Sequence, residues 1–99
     1  MIEKRVIVTN RLGLHARAAA RLVHTANRFQ STLRLRRIND NGPAGADAVS
    51  ADAKSILSVL MLAAARGTEL SAMAEGTDEA DAIAALAELF RSGFGEAEN

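Results

Sequence analysis

The sequence predicts an α+β domain in which an antiparallel sheet is covered on one face by helices, an open-faced sandwich. Three observations lead to this prediction. Segments with the pattern of strands and of helices follow in the order strand, helix, two strands, short helix, strand, helix. The predicted helices share one apolar side, so they can cover a single core. The 99 residues suffice for one domain with a modest core and not for two.

The first half of the chain contains two predicted strands and one helix. Residues 2–9 form a strand, because β-branched residues dominate and two alternate valines share a face. Residues 16–28 form a helix with apolar residues at helical spacing. In residues 32–38 leucines face one way and arginines the other, so this strand has one covered face and one in contact with water. Residues 39–47 are dense in turn formers and predict an exposed loop.

The third and fourth strands flank a short helix. A short strand is predicted around residues 48–51. A short helix covers residues 55–62, with the option of an extension through Ala65. The pair at residues 66–67, a basic residue and a glycine, is expected to close it. Residues 69–74 form the fourth strand, with Leu and Ala alternating on one face, although alanine is a poor strand former.

The last helix, residues 77–92, has the clearest signals. Thr77 is the expected N-cap, acidic residues in the first turn complement the helix dipole, and Gly93 ends the helix. Its core stripe follows the spacing i, i+3, i+4, i+7 and consists of Ile83, Leu86, Ala87 and Phe90. The sequence therefore predicts one domain over residues 1–95 and a short tail over residues 96–99.

Composition narrows the range of functions. The chain carries 12 basic and 12 acidic side chains, and this balance gives no general attraction to nucleic acid or to anionic lipid. Three phenylalanines without Trp or Tyr leave little for base stacking, so no nucleic-acid partner is expected. There is no cysteine and the two histidines are separated along the chain, so we expect neither disulfides nor a metal site.

No segment is typical of a leader or of a membrane span. The N-terminal residues lack the long apolar run of a signal peptide. The longest nearly apolar stretch, residues 56–65, is too short to cross a bilayer. We therefore expect a cytoplasmic protein that does not insert into membranes.

The candidate functional segment is NRLGLHARAAARLV, residues 10–23. It places His15 at or next to the N-cap of a helix, with Arg17 two residues on. The amides of Ala16 and Arg17 are expected to be unpaired and to point outward beside the ring, where the helix end favours anions. A neutral imidazole nucleophile, an anion-binding helix end and an adjacent guanidinium are the parts needed to hold a phosphoryl group on histidine.

A histidine and an arginine at this spacing are frequent by chance, so the first segment alone is weak evidence. A second segment, KSILSVLML at residues 54–62, strengthens this interpretation. With GLHAR, it resembles the HPr family, the histidine-containing phosphocarriers of the bacterial phosphoenolpyruvate-dependent sugar phosphotransferase system. The resemblance covers nearly the whole chain. It implies a four-stranded antiparallel sheet with three helices packed on one face.

The resemblance also implies roles for individual residues. His15 corresponds to the residue that accepts a phosphoryl group on Nδ1 from phosphoenolpyruvate-charged enzyme I, and Arg17 and the Ala16 amide would stabilise the phosphate. The group would then pass to enzyme II A components. The protein would act as a carrier in a relay, without a cofactor of its own, rather than as a stand-alone enzyme.

The short helix carries two further implied functions. Ser55 is a good N-cap, and it also corresponds to the regulatory serine that HPr kinase/phosphorylase modifies in many bacteria. Val59 and Leu62 are expected to face inward. The family's apolar docking patch corresponds here to three residues that are expected to be partly outward: Ile56, Leu57 and Leu60.

Two departures and two alternatives remain open. Ala18 stands where the family usually has proline, and the loop at residues 39–47 is longer than usual, which puts docking near that loop in doubt. His24 has no motif support and is expected at the surface.

One alternative is a regulatory HPr-like module of a nitrogen-type phosphotransferase relay that acts mainly by binding proteins. The other is a small-ligand-binding α+β domain without phosphoryl chemistry.

Overall fold

The strands and helices occur in the predicted order in the computed structural model, which describes residues 1–38 and 50–96. The elements are β1 (Ile2–Ile7), α1 (Ala16–Ala26), β2 (Thr32–Arg37), β3 (Ser50–Asp52), α2 (Ile56–Met61), β4 (Glu69–Glu75), α3 (Glu79–Arg91) and a terminal 3-10 turn (Gly93–Gly95). The predicted loop at residues 39–47, the first half of the predicted third strand and residues 97–99 of the predicted tail lie outside the described residues. Within the described part, no helix has the length and apolar character that crossing a bilayer requires.

The four strands form one antiparallel sheet in the order β1-β4-β2-β3. Strand β4 is central and pairs with both β1 and β2, so that Ala72 lies between Lys4 and Leu35. The predicted alternation in β4 is confirmed, since Leu70, Ala72 and Ala74 are all fully buried. The small alanines leave room for helices to lie close to the sheet.

All three α-helices pack on one face of this sheet, as predicted. Helix α3 lies against β1 and β4, α1 contacts α2 and α3, and α2 contacts β3. Alanine is the most frequent residue in the core they cover, which allows short distances between the elements. The opposite face of the sheet is polar, and there Arg36 lies 3.8 Å from the carboxylate of Glu3. The prediction of one covered face and one wet face is therefore confirmed.

The end of α2 differs from the prediction. The helix ends at Met61, just before the predicted last residue, Leu62, and it does not continue through Ala65, since Ala63 has a φ of 50°. The backbone beyond it pairs with the chain that follows β1, because Gly67 N–H donates to the Val8 carbonyl at 2.7 Å and Val8 N–H donates to the Thr68 carbonyl at 2.9 Å. The predicted closure by residues 66–67 is therefore wrong, since these residues belong to a turn beside β1.

The start of α3 also differs from the prediction. Asp78, not Thr77, precedes the first helical residue, and its side chain makes no capping bond. Its carboxylate instead accepts hydrogen bonds from Ser31 Oγ and from the backbone N–H groups of Ser31 and Gln30, the latter two at 2.9 Å. These bonds, the one from Ser31 Oγ above all, lower the pKa of Asp78. Asp78 therefore ties the turn between α1 and β2 to the start of α3.

Candidate functional site

His15 occupies the N-cap of α1, as predicted, with an extended backbone at φ −77° and ψ 179°. The turn before it depends on Gly13, whose φ is +69° and whose missing Cβ would lie 2.5 Å from the Ala64 carbonyl oxygen. No side chain fits there, so the turn approaches the segment after α2 closely. The helix begins at Ala16 although Ala18 replaces the family's proline, and Ala18 is fully buried in the first turn.

Both nitrogen atoms of the His15 ring have partners. Nδ1 accepts a hydrogen bond from the Arg17 amide at 3.3 Å, and Nε2 lies 2.5 Å from Oε2 of Glu96. The expectation that the Arg17 amide is unpaired is therefore wrong, because the ring itself caps the helix. The bond is long for a hydrogen bond between N–H and nitrogen, so an anion on Nδ1 could take over this amide at small cost.

Glu96 is itself held by a buried amide. Asn10, which is 2% exposed, donates through Nδ2 to Oε1 of Glu96 at 2.9 Å and to the Gly13 carbonyl at 2.7 Å. The hydrogen bond from Asn10 lowers the pKa of Glu96 most strongly. The hydrogen bond from His15 and the charge of Arg17 lower the pKa further, against an opposing effect of burial. Glu96 is therefore ionised at neutral pH.

The 3-10 turn at residues 93–95 brings Glu96 back to the start of α1. Phe94 is buried and packs edge-on against Phe90 with ring centroids 5.0 Å apart. Its backbone carbonyl accepts a hydrogen bond from the Arg21 guanidinium of α1. Glu96 is the first residue of the predicted tail, and its contact with the site was not predicted from the sequence. The signal in the sequence is Gly93-Phe94-Gly95, an apolar side chain between two glycines, which could have indicated that the chain folds back onto the domain after α3.

An open pocket of about 670 Å³ lies beside the His15 ring. Its other lining residues are Arg11, Leu12, Ala16, Arg17, Arg21, Gly95 and Glu96. Three of them carry guanidinium groups, so the surface around the ring is rich in groups that bind phosphate oxygens. The site thus brings together the predicted His15, Arg17 and Ala16, and it adds an acidic partner on the far side of the ring.

Ser55 caps α2, as predicted. Its backbone is extended, and its Oγ accepts a hydrogen bond from Ser58 N–H at 3.3 Å. The side chain is partly exposed. The hydroxyl of Ser58 faces back along the chain and accepts a hydrogen bond from Asp52 N–H at 2.9 Å.

The apolar surface next to Ser55 agrees with the prediction in outline. Val59 and Leu62 are buried, while Ile56 is 45% and Leu57 69% exposed. Leu60 is half-buried and packs against the core. Met61, which is 68% exposed on the same helix, was not among the predicted patch residues. We use the name apolar patch for the outward residues of this helix: Ile56, Leu57, Leu60 and Met61.

Comparison with known proteins places this geometry in a family. The model of the phosphorylation site of the phosphotransferase-system HPr component matches residues 2–92. The chain is 44% identical over 96 residues to the phosphocarrier protein HPr of Xylella fastidiosa strain 9a5c, covering 97% of this chain and 98% of the relative. It is also 44% identical over 93 residues to the phosphocarrier protein NPr of Proteus mirabilis strain HI4320, covering 94% of each chain.

Solved structures agree with the sequence comparisons. The crystal structure of HPr-C-His from Thermoanaerobacter tengcongensis superposes with a TM-score of 0.85 at 37% identity, covering 99% of this chain and all of that one. An HPr structure from Bacillus anthracis gives a TM-score of 0.76 at 32% identity, covering 90% of this chain and 95% of that one. The fold implied by the resemblance is thereby confirmed. The chain belongs to the HPr family of the phosphotransferase system.

Proposed function

We propose that this protein is a phosphocarrier that accepts a phosphoryl group on Nδ1 of His15 from phosphoenolpyruvate-charged enzyme I and passes it to enzyme II A components. Family membership and the names of its relatives support a carrier role. The observation that carries the proposal is the position of His15 at the N-cap of α1, with Nδ1 directed at the helix amides.

The transfer step needs little from the carrier except geometry and charge. The lone pair on Nδ1 of His15 attacks phosphorus, the bond between phosphorus and the donor nitrogen breaks, and its electron pair returns to the donor. The phosphoryl oxygens then meet the N-terminus of α1, including the amides of Ala16 and Arg17, and the Arg17 guanidinium. Because such transfer depends mainly on alignment and charge neutralisation, the partner proteins can supply the remaining catalysis.

The apolar patch is the proposed docking surface for enzyme I and the enzyme II A components. Hydrogen bonding of Leu14 N–H to the Ala64 carbonyl, at 2.9 Å, holds the start of α1 beside the chain that leaves α2. A partner that covers Leu57 and Met61 would therefore bind close to the His15 side of the domain. We place this exchange in the cytoplasm, where the relay partners of the family act.

Ser55 is the proposed site of regulatory phosphorylation by an HPr kinase/phosphorylase. A phosphate there adds about −1.5 to −2 charges near pH 7 and three acceptor oxygens. The oxygens can accept the Ser58 N–H that Ser55 Oγ accepts now, so the cap survives the modification. The charge would stand beside Ile56 and Leu57, and a docking partner would have to desolvate it.

A nitrogen-type relay is the second candidate function. It is favoured by the NPr relative, which is as similar in identity as the HPr relative. The His15 chemistry would be the same, and only the donor and acceptor proteins would differ. Incubation with enzyme I of the sugar type and of the nitrogen type, in parallel, separates the two candidates by the initial rate of labelling.

The test of the carrier role is a load-and-discharge experiment. The protein is incubated with labelled phosphoenolpyruvate and a catalytic amount of enzyme I, and an enzyme II A component is then added. We expect one acid-labile phosphate per chain that leaves when the acceptor arrives. A chain that takes up no acid-labile phosphate from either type of enzyme I would contradict the proposal and favour a binding domain without phosphoryl chemistry.

A further inference from the structure

The second nitrogen of the His15 ring lies in a chain of hydrogen bonds that carrier chemistry alone does not explain. Nε2 is 2.5 Å from Oε2 of Glu96, and Oε1 of the same carboxylate accepts from Asn10 Nδ2 at 2.9 Å. Asn10 is anchored in turn to the Gly13 carbonyl, in the turn that positions His15. Glu96 lies beyond the residues that the family model matches.

We propose that Glu96 and Asn10 form a positioning pair that holds His15 in the tautomer with its proton on Nε2 and its lone pair on Nδ1. The inference rests on the proposed function, because it names the residues that direct the nucleophile of that reaction. Glu96 touches the ring and not the phosphoryl group, so it acts through His15.

Hydrogen-bond chemistry on both sides of the ring selects this tautomer. An ionised carboxylate only accepts hydrogen bonds, so Nε2 must be the donor to Glu96. A neutral imidazole has one N–H, and Nδ1 therefore keeps its lone pair. The contact with the Arg17 amide requires the same arrangement, since this amide can only donate to Nδ1. The opposite tautomer would place two donors together at Nδ1 and two acceptors together at Nε2.

Asn10 holds the Glu96 carboxylate ionised and oriented, so that it accepts a hydrogen bond from His15. Both described hydrogen bonds of the Asn10 side chain use Nδ2 as donor, which fixes the direction of the amide. The Glu96 side chain is only 14% exposed, so the bond from Asn10 replaces hydration that the carboxylate has lost. The carboxylate is thereby oriented from behind, as second-sphere partners orient histidine ligands in metal sites.

The same pair assists both directions of transfer. When Nδ1 forms its bond to phosphorus, the ring retains the Nε2 proton and becomes a phosphoryl imidazolium, whose positive charge faces the Glu96 carboxylate. When the phosphoryl group leaves, the electron pair of the N–P bond returns to Nδ1 and the proton stays on Nε2. No proton has to enter or leave the site. Carboxylate support of a positively charged imidazole has a precedent in the hydrolase triad.

The test combines a spectroscopic and a kinetic readout on three variants. Glu96→Ala removes the carboxylate, Glu96→Gln keeps the side-chain volume, and Asn10→Ala leaves Glu96 in place without its support. Glu88→Gln is the matched control, because it removes an exposed carboxylate of α3 that is paired with Arg91. The ¹⁵N shifts of the His15 ring are recorded in the free protein at neutral pH, and enzyme I-dependent labelling rates are measured at limiting and saturating carrier.

We expect ring shifts of the Nε2–H tautomer in the wild type and in the control. The shifts should move toward a mixture of tautomers in Glu96→Ala and, less strongly, in Asn10→Ala. The labelling rate at saturating carrier should fall by roughly ten- to a hundredfold in Glu96→Ala, with a smaller loss in Glu96→Gln, whose amide oxygen can still accept from Nε2.

Wild-type ring shifts in Glu96→Ala would overturn the inference, whatever the rate. Wild-type labelling rates in all three variants would overturn it as well. Failure of the wild type to accept label would instead contradict the proposed function, and the ring shifts would still decide whether Glu96 sets the tautomer. If Glu96→Ala unfolds, Glu96→Gln and Asn10→Ala provide the same comparison.

Discussion

Helices α1 and α2 begin in the same way but in different surroundings. Each starts at a side chain that accepts a hydrogen bond from an amide of its own first turn at 3.3 Å, Nδ1 of His15 in α1 and Oγ of Ser55 in α2. Either helix end can therefore receive an anion. Around His15, however, the structure places guanidinium groups and a carboxylate, whereas Ser55 stands beside exposed aliphatic side chains.

An N-cap alone supplies only part of what a phosphoryl-transfer site needs. The helix end supplies tolerance of negative charge in both places. His15 also has a second contact that orients its nucleophile, and guanidinium groups in the adjoining pocket that can share the phosphoryl charge. Beside Ser55, the Nζ of Lys54 instead donates to the Phe29 carbonyl at 2.8 Å. The surroundings of His15 suit a phosphoryl group that is accepted and passed on. Those of Ser55 suit a lasting phosphoester whose charge changes what binds to the apolar patch.

The largest effect expected on transfer is that of His15→Ala. This substitution removes the nucleophile, and we expect no enzyme I-dependent label at all. His24→Ala is the matched control, since His24 is exposed on the same helix without a comparable site, and it should label at the wild-type rate. Loss of label in the His24→Ala control together with label on the His15→Ala variant would show that His24, not His15, is phosphorylated.

Arg17→Lys tests the guanidinium groups that surround His15. Lysine keeps the charge but loses the planar fork that engages two phosphate oxygens, so we expect transfer roughly tenfold slower, with an unchanged thermal midpoint. Arg28→Lys, beyond the other end of α1, is the control and should transfer at the wild-type rate. Equal rates in the wild type and the Arg17→Lys variant would show that Arg17 does not hold the phosphoryl group.

Ser55→Asp tests the exposed apolar surface beside Ser55. A charge at this cap leaves His15 intact but must be desolvated on docking, so we expect the KM for the carrier to rise roughly tenfold, equivalent to about 1.4 kcal/mol of binding free energy. The rate at saturating carrier should not change. Thr77→Asp adds the same charge at an exposed position before α3 and should leave both parameters unchanged. A defect that persists undiminished at saturation would indicate damaged chemistry rather than weaker docking.

Asp78→Asn should leave the transfer rate unchanged and lower the stability of the fold at neutral pH. The pKa of Asp78 is lowered in the folded protein by its bonds to Ser31 and Gln30. Such a carboxylate stabilises the fold above its ordinary pKa of 3.8, and this contribution is lost as the pH falls through the lowered folded value. Thermal unfolding measured from pH 7 downward should show a lower midpoint for Asp78→Asn at neutral pH and a difference from wild type that shrinks in acid. A difference that stays constant with pH would contradict this role.

The sequence was informative wherever structure depends on neighbours along the chain. The alternation of Leu70, Ala72 and Ala74 predicted the buried face of β4, and capping preferences predicted the positions of His15 and Ser55. The motif resemblance supplied the sheet and the side on which the helices pack, which no local pattern determines.

The errors lie where distant segments decide the outcome. Helix α2 stops early because the chain after it pairs with residues following β1. The side chain of Asp78 does not cap its own helix, because it accepts hydrogen bonds from donors that lie 47 and 48 residues earlier in the chain. Glu96 and His15 are separated by 81 residues, so their contact depends on how the chain folds back after α3. Each of these contacts is tertiary and leaves no periodic trace in the sequence.

The most direct test of the proposed carrier chemistry is to determine which ring nitrogen of His15 carries the phosphate. The protein is labelled with ¹⁵N, charged by enzyme I and phosphoenolpyruvate, and studied by ¹H–¹⁵N–³¹P correlation spectroscopy under mildly alkaline conditions. We expect phosphorus bonded to Nδ1 of His15 and the retained proton on Nε2. Phosphorus on Nε2, or on a residue other than His15, would contradict it.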